Sequence, residues 1–305
     1  MKLTTTVPSS NLPVLIDQHS KVVLLGSCFT ENIGSKLAYF GFDVTVNPFG
    51  IVFNSTSLRI LVERAINNQA FTAADGTDHF SYLVHSDLNS SDPKKLISNL
   101  NTALQHLRES LKEATHLFIT LGTSWVYRHV EKDMIVANCH KQPQELFRKE
   151  LLPIDGMHDD LKRIYELVTN WNKEINITYT LSPVRHIKDG FVENQRSKAR
   201  LHEAIQLHVE RTNAHYFPAY EIAMDELRDY RFYARDMVHL NDLGIDFIWI
   251  RFRESAINTN TLPQQQAVEK YRKLSHHKST DLELHEQHLA KMREQIRTQY
   301  PLINL

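Results

Sequence analysis

Lys21-Val22-Val23-Leu24-Leu25-Gly26-Ser27-Cys28-Phe29-Thr30-Glu31-Asn32-Ile33-Gly34 reads as a short apolar strand, a tight turn and the start of a helix. A run of β-branched and aliphatic residues that stops at glycine is the pattern of a buried strand entering a loop. In open parallel sheets, ligands bind beyond the carboxyl ends of the strands. Side chains at Ser27 and Cys28 therefore sit where chemistry is usually done. The adjoining helix N-terminus favours a thiolate or an oxyanion. A structural reading stands beside this one: Gly26 serves the turn, Ser27 caps the helix, and Cys28 is a small buried residue.

Outward from this elbow the same rhythm repeats. Further strands are expected at residues 43–46, 116–121, 175–181 and 214–218. Helices are expected at 31–40, 57–67, 93–113, 143–150, 160–172 and 197–209. Strands alternating with longer helices imply βαβ units and a mainly parallel sheet. Residues 125–136 break the alternation and read as two extended pieces, a hairpin after the central strand. From about residue 258 the chain turns polar, and apolar positions at Val268, Tyr271 and Leu274, then Leu282, Leu289, Met292 and Ile296, predict one or two helices. This divides the chain into 1–257 and a helical C-terminal extension, 258–305.

Thirty-five basic and 36 acidic residues among 305 leave no long block of one sign, which argues against a nucleic-acid or membrane surface. The two cysteines, Cys28 and Cys139, do not make a disulfide framework, although a Cys28–Cys139 redox bridge is an alternative. The first 21 residues lack the apolar core of a signal peptide, and no run approaches the ~18 apolar residues of a membrane helix. The expected location is cytoplasmic.

The elbow resembles the first block of SGNH (GDSL-type) hydrolases, Gly-Asp-Ser-x-Thr-Glu. It is closer to the GSCFA family, named for Gly-Ser-Cys-Phe-Ala, with threonine here in place of alanine. Aligned on Gly26, Ser27 takes the aspartate place and Cys28 the nucleophile place; Ser27 is the alternative nucleophile if the turn rotates by one residue. Tyr233-Ala234-Arg235-Asp236-Met237-Val238-His239 resembles the last SGNH block, Asp-x-x-His. Three apart on a helical turn, Asp236 would orient His239. Read without the resemblance, the pair is an exposed cap on the following helix.

Two other blocks match less closely. Asn47-Pro48-Phe49-Gly50 supplies a glycine, Gly50. In Leu121-Gly122-Thr123-Ser124-Trp125, Ser124 stands where the hydrolases have the asparagine of the oxyanion site. Further stretches resemble GSCFA proteins at 136–141, at 181–191, and through Asn194 and Ser197-Lys198-Ala199. The likeness spans residues 21 to 252. It implies a flavodoxin-like three-layer α/β/α fold of the SGNH hydrolase type.

The activity implied is hydrolysis or transfer of an acyl ester on a carbohydrate or cell-envelope precursor. Cys28 or Ser27 would act with His239 and Asp236. Gly50 and Ser124 would serve the oxyanion, and Arg185, His186 and Asn47 the substrate, with no cofactor or metal. Arg185 is either an anion clamp or a partner of Glu193 or Asp189. Two other functions compete. One is a ligand-binding protein that has lost efficient chemistry. The other is a zinc site drawn from Cys28, Cys139, His140, His186 and His239, against which their spacing argues.

Overall fold

In the computed structural model, which describes residues 4–8, 11–278 and 280–305, alternate residues of the first strand part to opposite sides. Val22 and Leu24 enter one apolar cluster, Val23 and Leu25 the other. That is the period-two geometry of a strand covered on both faces. The strands follow in chain order: β1 (Lys21–Gly26), β2 (Asp43–Val46), β3 (His116–Leu121), β4 (Trp125–His129), β5 (Met134–Val136), β6 (Phe147–Leu151), β7 (Asn176–Leu181) and β8 (His215–Phe217). Five of them form a parallel sheet in the order β2-β1-β3-β7-β8. Numbered by themselves these strands run 2-1-3-4-5, so the winding reverses between β1 and β3, where a crevice opens at the carboxyl edge.

The helices are α1 (Cys28–Tyr39), α2 (Ser55–Ile66), α3 (Pro93–Glu113), α4 (Ile154–Trp171), α5 (Phe191–Val209), the single turn α6 (Ala219–Glu221), α7 (Asp242–Ala256), α8 (Leu262–Ser275) and α9 (Leu282–Gln299). Helices α2 to α5 pack on the Val23 and Leu25 side, and α1 and α7 on the Val22 and Leu24 side. The chain is thus α/β, with a parallel sheet between two helical layers and helices at its C-terminus. The α8–α9 pair closes over Val268, Tyr271, Ile296 and Ile303, and Asn304 N–H donates to Gly41 O at 3.1 Å. Among the described residues, no helix is long and apolar enough to cross a membrane.

All five parallel strands and the 125–136 hairpin lie where the sequence puts them. One helix does not. Residues 143–150, rich in helix-favouring Gln, Glu, Leu and Lys, form a short turn and then β6, which pairs with β4 from Trp125↔Leu151 to His129↔Phe147. The open edge of β4 supplies backbone partners, and Phe147 inserts beside Tyr82 and His129; tertiary pairing overrides propensity. Helix α7 was given no range in the sequence expectations, which name only a helix following the Asp236–His239 pair. Its signals are present, with Asn241 capping Gly244 N–H at 3.1 Å and Ile245, Ile248, Trp249 and Phe252 on one buried face.

His208 on α5 is fully buried, and neither ring nitrogen has a hydrogen-bond partner among the described residues. It sits against the rings of Tyr165, Tyr179 and His158. Burial, aided by His158, pushes it down to about 4. A histidine depressed on folding contributes stability above its unfolded value of ~6.5, and that stability is lost as pH falls toward the folded value. His208→Phe is expected to raise stability at neutral pH by about 1–2 kcal/mol. It should also flatten the decline in Tm between pH 6.5 and about 4; an unchanged acid limb would assign that decline to other groups.

Candidate active site

The elbow is built by competition for backbone groups. Gly26 adopts φ +137°, and its N–H donates to Asn47 Oδ1 at 2.8 Å. Ser27 N–H donates to Thr120 O at 3.1 Å, while Ser27 Oγ caps α1 by accepting Phe29 N–H at 3.3 Å and donates to Ser182 Oγ at 3.0 Å. The capping role therefore falls to Ser27, whose hydroxyl is buried and engaged. Cys28 takes the first helical position, three residues before the expected helix start. Its thiol is half-buried. Burial pushes it up, Glu31 adds to this, and the N–H groups of Phe29 and Cys28 and the Lys198 charge act against it.

The second loop joins β8 and α7 across the chain. Its base is the Tyr233↔Leu240 bridge, and Met237 sits at φ +57°. Asp236 and His239 do not share a helical turn, as their spacing predicts, but lie in this loop. Asp236 Oδ1 accepts the N–H groups of Val238 and His239 at 2.9 and 3.0 Å. Its Oδ2 lies 2.7 Å from His239 Nδ1. The imidazole and then the two N–H groups hold the Asp236 carboxyl down at about 2. A carboxylate on Nδ1 selects the tautomer with its proton there, leaving Nε2 as the basic nitrogen.

Arg185 fastens this loop to the segment after β7. Its N–H donates to Val238 O at 3.1 Å, and its Nη1 donates to Met237 O at 2.9 Å. Neither carboxylate suggested for it is available, because Asp189 pairs with Lys149 and Glu193 with Arg196.

Cys28, His239, Arg185 and His186 line one cavity of about 470 Å³, together with Ser27, Asn54, Thr123 and an apolar wall of Ile51, Phe53, Trp125, Tyr127 and Val136. His186 lies against Phe53, ring centroids 5.4 Å apart. Burial, then the Lys198 and His239 charges, push it down to about 3, so it is neutral at physiological pH.

Four predicted site residues do not line the cavity: Asp236, which holds His239 from behind, and Asn47, Gly50 and Ser124. Asn47 is a strut between strand ends, accepting from Gly26 and donating to Glu31 at 3.5 Å. Gly50 has φ +72° and spends its N–H on Asn47 O at 2.7 Å. Ser124 is fully buried, its N–H and Oγ both donating to Ser197. Turn closure and helix docking have consumed the donors assigned to the oxyanion.

Asn54 was not singled out from sequence, and Lys198 stood only within a family-like stretch with no role assigned to it. Asn54 Oδ1 caps α2 by accepting Ser57 N–H at 2.8 Å, and its Nδ2 donates to no protein group among the described residues. As a cap-type residue before a helix it gives only a structural signal. Lys198 is buried on α5 and donates to Gly122 O and Ser182 O, each at 2.7 Å. Its ammonium ties the ends of β3 and β7 together behind the elbow, and burial pushes it down to about 7.

The zinc alternative does not assemble. Cys139 packs against Phe80 and Tyr82, and His140 stacks on Phe80 while its Nε2 meets Ser81 O at 2.9 Å. Among the described residues, no three His, Cys, Asp or Glu side chains form a ligand set. Both cysteines are free thiols.

No curated protein sequence matched the chain. The model of the GSCFA family matches residues 21–252, the span that builds the sheet and both loops of the cavity, and the chain therefore belongs to the GSCFA family.

Proposed function

We propose that the cavity is the site of an SGNH-type acyl-ester hydrolase or acyl transferase with a cysteine nucleophile. One observation carries the reading: Cys28 and His239 line the same cavity, with Asp236 holding the far side of the imidazole. Because burial keeps the thiol protonated, the base must act during attack rather than beforehand. Cys28 Sγ bonds to the carbonyl carbon as its proton passes to His239 Nε2, and the C=O electron pair moves onto oxygen. The N–H of Cys28 and the Asn54 amide, in place of Gly50 and Ser124, donate to that oxygen. Collapse expels the alcohol, which takes the proton from His239, and leaves a thioester. Water or an acceptor hydroxyl, deprotonated by His239, then releases the acyl group and restores the thiol.

An acylated carbohydrate or cell-envelope precursor fits the implied substrate class. The test is trapping: p-nitrophenyl acetate should release a burst of about one equivalent of p-nitrophenol and leave an acetyl group on the Cys28 peptide, detected by mass spectrometry. The adduct should be missing in Cys28→Ala.

A second reading, ligand binding without turnover on the same fold, is favoured by one observation, the upward push on the thiol. Failure to acylate Cys28 across a panel of activated esters would decide for it.

A further inference from the structure

Resting on that reading, we infer that the substrate carries an anionic oxygen group, a carboxylate or phosphate, which Arg185 receives in the cavity. Of the charged side chains lining the cavity, Arg185 and Lys188 have no carboxylate partner among the described residues. The one lining carboxylate, Asp189, is already paired with Lys149. His186 is neutral, and His239 is held through Nδ1 by Asp236. The lining therefore combines two cations without a carboxylate partner with apolar side chains from Ile51 and Phe53 to Trp125 and Val136.

Arg185 is also held in place for the task. Its guanidinium lies 5.5 Å from the ring centroids of both Phe191 and Tyr233. One Nη1 proton is fixed on Met237 O. The remaining N–H groups donate to no protein atom among the described residues. A guanidinium immobilised in this way loses little freedom when it meets an anion, and its planar fork matches two oxygens of one carboxylate or phosphate. A cation left without a carboxylate partner beside a half-buried site is free to receive an anionic ligand. Lys188, exposed on the same loop, adds a second, weaker attraction. The substrate class is thus an amphiphilic ester, with an apolar acyl or aryl part against the hairpin wall and an anion on Arg185.

The experiment pairs esters that differ in charge alone. p-Nitrophenyl hydrogen adipate is compared with p-nitrophenyl hexanoate, placing the anion on the acyl side. 4-Acetoxybenzoate is compared with its methyl ester, placing it on the leaving-group side. In at least one pair the anionic ester should be preferred in kcat/KM by about 10- to 100-fold, the range of a charge-assisted hydrogen bond. That ratio should collapse in Arg185→Gln through KM, recover in part in Arg185→Lys, and shrink modestly in Lys188→Gln. Neutral esters turned over as well as anionic ones would overturn the inference. So would an Arg185→Gln variant whose ratio is unchanged, which would leave Arg185 a support for the histidine loop.

If no ester is turned over, the acyl-transfer reading fails and binding still decides the anion site. Adipate and inorganic phosphate, titrated against the fluorescence of Trp125 in the cavity wall, should bind wild type at least ~10-fold more tightly than Arg185→Gln, and adipamide should not compete. Wild type that binds neither anion would refute the subsite.

Discussion

His239→Ala is expected to lower kcat/KM for an activated ester by about 1000- to 10000-fold, and Cys28→Ala to remove turnover altogether. The state of the thiol sets the size of both effects. In the cavity lining burial outweighs the helix N-terminus and the Lys198 charge, so the thiol is pushed up rather than down. Without an acceptor for the proton, attack would have to start from the neutral thiol, a far poorer nucleophile. Asp236→Asn should cost a similar factor. The amide cannot hold Nδ1–H as the carboxylate does at 2.7 Å, and the ring would present the wrong tautomer to Cys28. Asp236 also receives two backbone N–H groups, so part of its effect should appear as a mobile loop. In the proposed mechanism the three residues act as one unit, so Cys28→Ala combined with His239→Ala should be little worse than Cys28→Ala alone. Steady-state kinetics on the purified variants checks this. A His239→Ala enzyme within about tenfold of wild type would mean that another group takes the proton.

Gly26→Ala is expected to prevent stable folding, with a loss of at least about 3–4 kcal/mol. An added Cβ would stand 2.1 Å from Thr120 O, a backbone atom of the neighbouring strand. Neither partner can retreat, because Gly26 and Thr120 are register partners in β1 and β3 and Ser27 N–H donates to that same oxygen. The backbone angle of +137° adds strain for any L side chain. Gly156→Ala is the comparison: it lies in α4, where the nearest atom would be Pro153 Cγ at 3.3 Å. That change should be close to neutral, since helix propensity gains offset a mild contact. Soluble yield and denaturant midpoints of the two variants measure the difference. A folded Gly26→Ala protein with wild-type stability would show that the elbow can relax by separating β1 from β3.

The architecture was readable because it is written locally. Val22 to Leu25 alternate between two apolar faces and stop at a glycine, and no distant residue is needed to recognise a buried strand entering a turn. The same held for Asp43–Val46 and His116–Leu121. It failed for 143–150, where the open edge of β4 gave the backbone a better set of partners than a helix could. That Cys28, His239 and Asp236 belong together was likewise suggested by short blocks of sequence, and the fold brings Cys28 and His239 to one cavity with Asp236 on the imidazole.

What tertiary structure alone decided is which polar groups remain free. From sequence, Gly50, Ser124 and Asn47 were as good donors as any. In the fold Gly50 closes a turn, Ser124 is bound to Ser197, and Asn47 braces Gly26. Asn54 Nδ2 and the Arg185 fork are left over, while a buried lysine from α5 pins the strand ends behind Cys28. Periodicity and turn chemistry are properties of neighbours in the chain, so they survive in the sequence. Hydrogen-bond competition is settled among groups far apart in the chain, and only the assembled molecule shows which of them are left to meet a substrate.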